Sequence, residues 1–166
     1  MTHVSRVLIT VGLVAGLASS AEAQFSKKVE STFKGKILIT ESALDLQKDD
    51  DDKRVIDHCK KMNLATLKSY KAGDGVTTWA FHYTAFLKKK PQATAISFDF
   101  YTDDKEKLYV ANKQMTGVDP VLTTLQGRIV ISEDDGLNPN RKYLVKIVTQ
   151  VKGKEVLLAE TRVATK

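Results

Sequence analysis

Apolar residues recur at every second position through most of the chain. In the stretch 76–87, Trp79, Phe81, Tyr83 and Ala85 share one side. Such period-two alternation marks a strand that buries one face. Ile96, Phe98 and Phe100 alternate with Ala95, Ser97 and Asp99 in 94–101. Ile129 and Ile131 mark 126–132, and Tyr143, Val145 and Ile147 face away from Lys146 in the strand that follows. Leu144 and Val148 blur the second side of that strand. The β-branched run Lys36-Ile37-Leu38-Ile39-Thr40 and the stretches 107–115 and 156–163 read as further strands, with 64–70 a weaker one. Turn formers separate them: Ala72-Gly73-Asp74-Gly75, Lys88-Lys89-Lys90-Pro91, Asp103-Asp104-Lys105, Asn138-Pro139-Asn140 and Lys152-Gly153-Lys154.

One segment has a different period. Val55, Cys59 and Met62 fall at i, i+4 and i+7, with Ile56 widening the stripe, which predicts a helix over 53–62. Asp52 can cap its start, and the acids before it suit the positive end of the helix dipole. Lys60 and Lys61 suit the other end, and Asn63 can stop it. We expect this helix to cover a sheet edge or cap the core. Ahead of it, Asp49 to Asp52 form an unbroken acidic run, which repels itself and reads as a solvated loop. The polar stretch 24–31 reads as a flexible leader reaching to residue 35.

Seven or eight strands, short connections and one short helix predict an all-β chain built as an antiparallel sandwich. No repeat or linker divides it, so 36–166 reads as a single domain.

The corner before the Tyr143 strand carries a resemblance. Leu137, Pro139 two residues on, Tyr143 four further, then Val145 and Ile147 have the spacing of the tyrosine corner in immunoglobulin-like and fibronectin type III sandwiches, where the hydroxyl bonds back to the corner backbone. Trp79 looks like the core-anchoring Trp on the second strand of fibronectin type III domains. The helix over 53–62 is not part of that pattern. The resemblance implies an adhesive, spacer or binding module, and structural roles for Trp79, Leu137, Pro139 and Tyr143.

The N-terminus changes the expected setting. After Arg6, an apolar run of about a dozen residues leads to Ser19-Ser20-Ala21-Glu22-Ala23, the three-part pattern of a secretory signal. Residues 1–23 are expected to be cleaved, which predicts a periplasmic or secreted protein without stable membrane insertion afterwards. Cys59 is the single cysteine, so an oxidising compartment adds no internal disulfide. It can pair between chains, react, or lie buried and inert under an apolar helix face.

The chemistry-bearing residues are sparse. His58 and Cys59 are neighbours, whose side chains diverge on a helix. His82 alternates with Phe81 and Tyr83 and is expected on the opposite face. No zinc, EF-hand, nucleophile-elbow or phosphate-loop motif occurs. The turn acids read as solvated, whereas a general acid needs a buried carboxyl. The chain is therefore expected to be no enzyme and to need no cofactor.

Charge offers the remaining lead. The net charge is +6 and the isoelectric point about 9.3. Acids and bases are interspersed without a basic stripe and aromatic platforms, which argues against nucleic acid. In an antiparallel sandwich, every second connection lies at the same end. Asp74, Asp103, Asp104, Asp134 and Asp135 would share one end, and Lys88, Lys89, Lys90, Lys152 and Lys154 the other. Asp103, Asp104, Asp134 and Asp135 are weak calcium candidates. The lysines are the candidate ligand-binding residues, suited to diffuse anionic surfaces. The expected function is an exported binding module for a protein or anionic glycan of the envelope or extracellular space. The alternatives are a structural or assembly subunit pairing through a strand edge, near 64–70 or on the last strand, and a calcium-stabilised domain.

Overall fold

The computed structural model describes residues 25–44, 46 and 51–166. The expected signal segment 1–23, Gln24, and Asp45, Asp49 and Asp50 lie outside the described residues.

Two short helices and nine strands form among the described residues. They are α1 (Lys27–Phe33), β1 (Lys36–Thr40), α2 (Asp52–Met62), β2 (Thr66–Leu67), β3 (Ser69–Lys71), β4 (Thr77–Phe86), β5 (Ala95–Thr102), β6 (Tyr109–Thr116), β7 (Thr124–Ser132), β8 (Lys142–Val151) and β9 (Lys154–Thr165), with a 3₁₀ turn at Glu133–Asp135. Each alternating stretch became a strand. The helix read from 53–62 forms as α2, with Asp51 rather than Asp52 at the cap: its side chain accepts from Arg54 N at 2.9 Å. Asn63 ends it.

The stretch read as a flexible leader is corrected. Ser26 caps α1 by accepting from Val29 N at 3.3 Å, and Val29 and Phe33, four residues apart, are buried. A single turn of apolar spacing is too short to stand out from a polar background, but tertiary packing holds it.

All nine strands belong to one mixed sheet, where a purely antiparallel sandwich was expected. The path runs β7-β4-β1-β9-β8-β5-β6. The parallel pairs come from the middle of that path. β1 runs antiparallel to β4 and parallel to β9, with Lys36 opposite Phe86 and Glu160. At Thr40 the chain leaves the sheet, forms α2 and returns at Leu64, whose N–H donates to Ile39 O at 2.7 Å. Asn63 Oδ1 takes the Ile39 N–H at 2.9 Å. The chain then continues in the same slot: β2 pairs parallel with β9 and β3 antiparallel with β4. β1 and β2–β3 thus act as one interrupted strand, with α2 as an excursion from it.

This arrangement corrects both expected open edges. The stretch 64–70 is wedged between β9 and β4, and the last strand, β9, is paired on both sides. Period-two alternation says which face is buried and nothing about which neighbour a strand takes. Among the described residues, the strands with one unpaired side are β6, bonded to β5, and β7, bonded to β4.

The sheet curls so that inner faces meet across it. Tyr83 of β4 packs edge-on to Phe98 of β5 with ring centroids 4.6 Å apart, although the two strands are not neighbours. The main core gathers Trp79, Phe81, Phe98, Phe100, Val145 and Ile147 from these faces. Tyr83 Oη lies 3.2 Å from Met115 Sδ on β6. Gly127 on β7 makes room for this ring, since a Cβ there would stand 2.8 Å from the hydroxyl.

The helices build a second, smaller core on the outer face. Val29 and Phe33 of α1 and Val55 and Cys59 of α2 pack on Leu38 of β1 and Phe86 of β4. Phe86 meets Phe25 and Phe33 at centroid distances of 4.9 and 5.3 Å. α2 therefore covers the outer face of central strands rather than an edge.

Candidate functional site

Strand direction sorts the turns. The register carries the connections 34–35, 87–94, 117–123 and 152–153 to one end of the sheet. The connections 72–76, 103–108 and 133–141 fall at the opposite end. Lys88, Lys89, Lys90, Lys152 and Lys154 thus share an end, away from Asp74, Asp103, Asp104, Asp134 and Asp135.

Two loops at the lysine end are laced together. Leu87 N donates to Thr123 O at 2.8 Å, Gln92 N to Pro120 O at 3.2 Å, and Val118 N to Thr94 O at 3.0 Å. Asp119 turns its own loop by accepting from Val121 N at 3.0 Å, as Asp commonly does in turns. The result is a braced two-loop platform. Lys89 and Lys90 are exposed on one loop, and Val121 is 57% exposed on the other.

The five lysines are not equivalent. Lys88 is committed: its N–H donates to Leu158 O at 2.7 Å and its ammonium stands 3.8 Å from Glu160. Its stem runs over Gly35, where a Cβ would meet Lys88 Cε at 2.7 Å. Lys89, Lys90, Lys152 and Lys154 are exposed and make no ion pair among the described residues. Lys152 and Gly153 both have positive φ, 51° and 75°, and join β8 to β9 as a two-residue hairpin. That is the turn whose twist suits paired strands. Lys154, where β9 leaves the hairpin, lies four residues from Leu158, the level of Lys88, or about 13 Å along the strand. The structure therefore puts the two lysine groups at one end without packing them together.

Most of the aspartates of the opposite end are engaged by the protein. Asp103 pairs with Arg162 at 3.0 Å. Asp104 Oδ1 accepts from Thr102 Oγ1 at 2.8 Å and from Glu106 N and Lys107 N at 3.0 Å. The Thr102 hydroxyl, with the Lys107 amide, holds that carboxyl below its usual range. Asp135 accepts from Lys113 Nζ at 2.7 Å and Ser132 N at 2.9 Å. Partial burial pushes the Asp135 carboxyl up, but the Lys113 and Ser132 hydrogen bonds outweigh it and hold it low. Asp134 is exposed. Among the described residues, no three His, Cys, Asp or Glu side chains group as metal ligands.

Of the corner residues, Tyr143 and Leu137 are packed and bonded into the end of the sheet. Tyr143 is buried, and its Oη accepts from Asn138 N at 2.7 Å. Thr165 Oγ1 donates to Asn138 O at 2.6 Å, which fastens the corner to β9. Leu137 is fully buried beneath it, and Pro139 is exposed at the turn. Trp79 is fully buried with Nε1 donating to Lys166 O at 3.2 Å.

Residues weighed for catalysis are separated by their faces. Cys59 is buried in the outer core and its thiol is pushed up by burial, whereas His58 beside it is exposed. His82 lies on the outer face of β4, opposite Arg128 of β7. Val121 was missed at the sequence level. An apolar residue after Asp119-Pro120 reads as loop, and only the cross-loop hydrogen bonds show that this loop borders the one with Lys89 and Lys90.

No protein-family model, curated protein or solved structure matches the chain. Among the described residues, no helix is long and apolar enough to cross a membrane.

Proposed function

We propose that the chain is an exported, non-enzymatic module of immunoglobulin-like or fibronectin type III-like type, which binds an envelope or extracellular component through its lysine-rich end. The observation that carries this reading is the gathering of four exposed lysines, without ion pairs among the described residues, at one end. Lys89, Lys90, Lys152 and Lys154 are exposed at one end without ion pairs among the described residues, while the aspartates of the other end are largely engaged. Loops on a rigid scaffold are where β proteins commonly bind, and unpaired lysines favour an anionic partner.

Pairing order supports the module type. In pairing order, β1-β4-β7 and β9-β8-β5-β6 resemble the A-B-E and G-F-C-C′ groupings of an immunoglobulin-like sandwich, with the interrupted first strand joining the two. The corner on β8 and Trp79 on β4 agree with that assignment.

The assembly reading has its own support, from different strands than expected. β6 and β7 each leave one side unpaired among the described residues, and such edges can accept another strand. A proline in the middle of β6 would weaken assembly by that route and leave the lysine end intact. Charge reversal at Lys89 and Lys90 would do the opposite.

A further inference from the structure

We propose that the two-loop platform of the lysine-rich end docks on an anionic phospholipid surface, with Lys89 and Lys90 against the headgroups and Val121 at the acyl boundary. This rests on the reading above that the lysine end is the contact surface, and it names the partner.

Three observations favour a bilayer over a folded partner or a glycan. The cations on and beside the connections of this end, Lys34, Lys36, Lys88, Lys89, Lys90, Lys152 and Lys154, are all lysines, whereas Arg128 lies within β7, Arg141 at the opposite end and Arg162 on β9 toward that opposite end. Lysine is a flexible point charge that suits diffuse headgroup charge, and arginine is the residue that matches a carboxylate with two bonds. Val121 is 57% exposed on a loop laced to the one bearing Lys89 and Lys90. An exposed valine on a loop bonded to a lysine-bearing loop combines apolar contact with attraction to anionic lipid, the two contributions that hold a shallow membrane contact. A glycan would gain little from a valine, which has no aromatic face to stack on a sugar. Finally, the hydrogen bonds between the loops hold the tips in place, so little ordering is required on contact.

The test is co-sedimentation of the purified chain with phosphatidylcholine vesicles, with and without phosphatidylglycerol. All variants share the same N-terminus. The wild type is expected to require phosphatidylglycerol and to be released by salt, because screening shortens the reach of the lysines. With roughly 1 kcal/mol per basic residue near such a surface, Lys89→Glu with Lys90→Glu should lower partitioning at least about tenfold. Val121→Asp should lower it several-fold. Lys105→Glu with Lys107→Glu, at the opposite end, should leave it unchanged. An equal loss in that last variant would show net charge at work rather than this end, and would overturn the proposal. So would binding that ignores phosphatidylglycerol or the Lys89/Lys90 reversal. Failure to bind any vesicle, while Lys89 and Lys90 remain necessary for capture of a soluble protein or glycan, would overturn the lipid assignment and leave the functional reading standing.

Discussion

The side chain of Asn63 reaches back across the α2 excursion to the backbone of Ile39, Oδ1 to N at 2.9 Å. That bond, with Leu64 N to Ile39 O beside it, closes the gap where the first strand is interrupted. It lets a helix be inserted without losing the slot between β4 and β9.

Asn63→Ala should therefore act locally. The Ile39 amide loses its acceptor, and a hydrogen bond of this kind contributes about 1 kcal/mol. Asn63 is exposed, so water can replace part of it. Hydrogen exchange should accelerate at Ile39 more than at Val145 or Ile147 in the main core. Uniform acceleration across the sheet would mean that the closure is not local.

Tyr143→Phe removes the hydroxyl and keeps the ring. Asn138 N then loses its 2.7 Å acceptor under a buried side chain. A loss of about 1–2 kcal/mol is expected in urea unfolding, with an unchanged m-value. A neutral result would mean that ring burial alone holds the corner.

Asp135 gives the fold a pH dependence. Its carboxyl is lower in the folded chain than the ordinary 3.8, so folding favours its ionised form. The stability it contributes is fully present above about pH 4 and is lost as the pH falls through the lowered folded value. The pair with Lys113 is about one-third exposed, so the contribution is modest, about 1 kcal/mol or less. Asp135→Asn should be less stable than wild type near neutrality, and the difference should shrink in acid. A difference that stays constant between pH 7 and pH 2.5 would contradict this.

Cys59 should be inert in the folded chain. It is fully buried between α2 and the outer face, and burial pushes its thiol up. A disulfide reagent at mild alkaline pH should modify it slowly in buffer and fully in denaturant. Fast modification in buffer would mean that α2 opens readily from β1.

Much of this architecture could be read from residue pattern, and the limits follow from what a pattern encodes. The run from Trp79 to Ala85 named an inward face because strand side chains alternate. The spacing from Leu137 to Tyr143 named a corner because its hydrogen bond spans five residues. α1 was read as loose because one turn carries too few apolar positions. The slot shared by Ile39 and Leu64 is a relation between distant segments, and alternation is silent on neighbours. For the same reason the open edges were expected on 64–70 and the last strand, whereas they fall on β6 and β7. The grouping of the lysines depended only on strands reversing direction. Val121 beside Lys89 and Lys90 needed the cross-loop bonds from Gln92 to Pro120 and Leu87 to Thr123.

The most direct measurement of the central claim is capture from the native envelope fraction by the purified chain, beside a Lys89→Glu, Lys90→Glu variant. Lys88 is left in place because it pairs with Glu160 and packs on Gly35. The expected result is a component retained by the wild type and lost by the variant, with both proteins melting at the same temperature. Equal retention by both would contradict a lysine-end contact and turn attention to the open sides of β6 and β7.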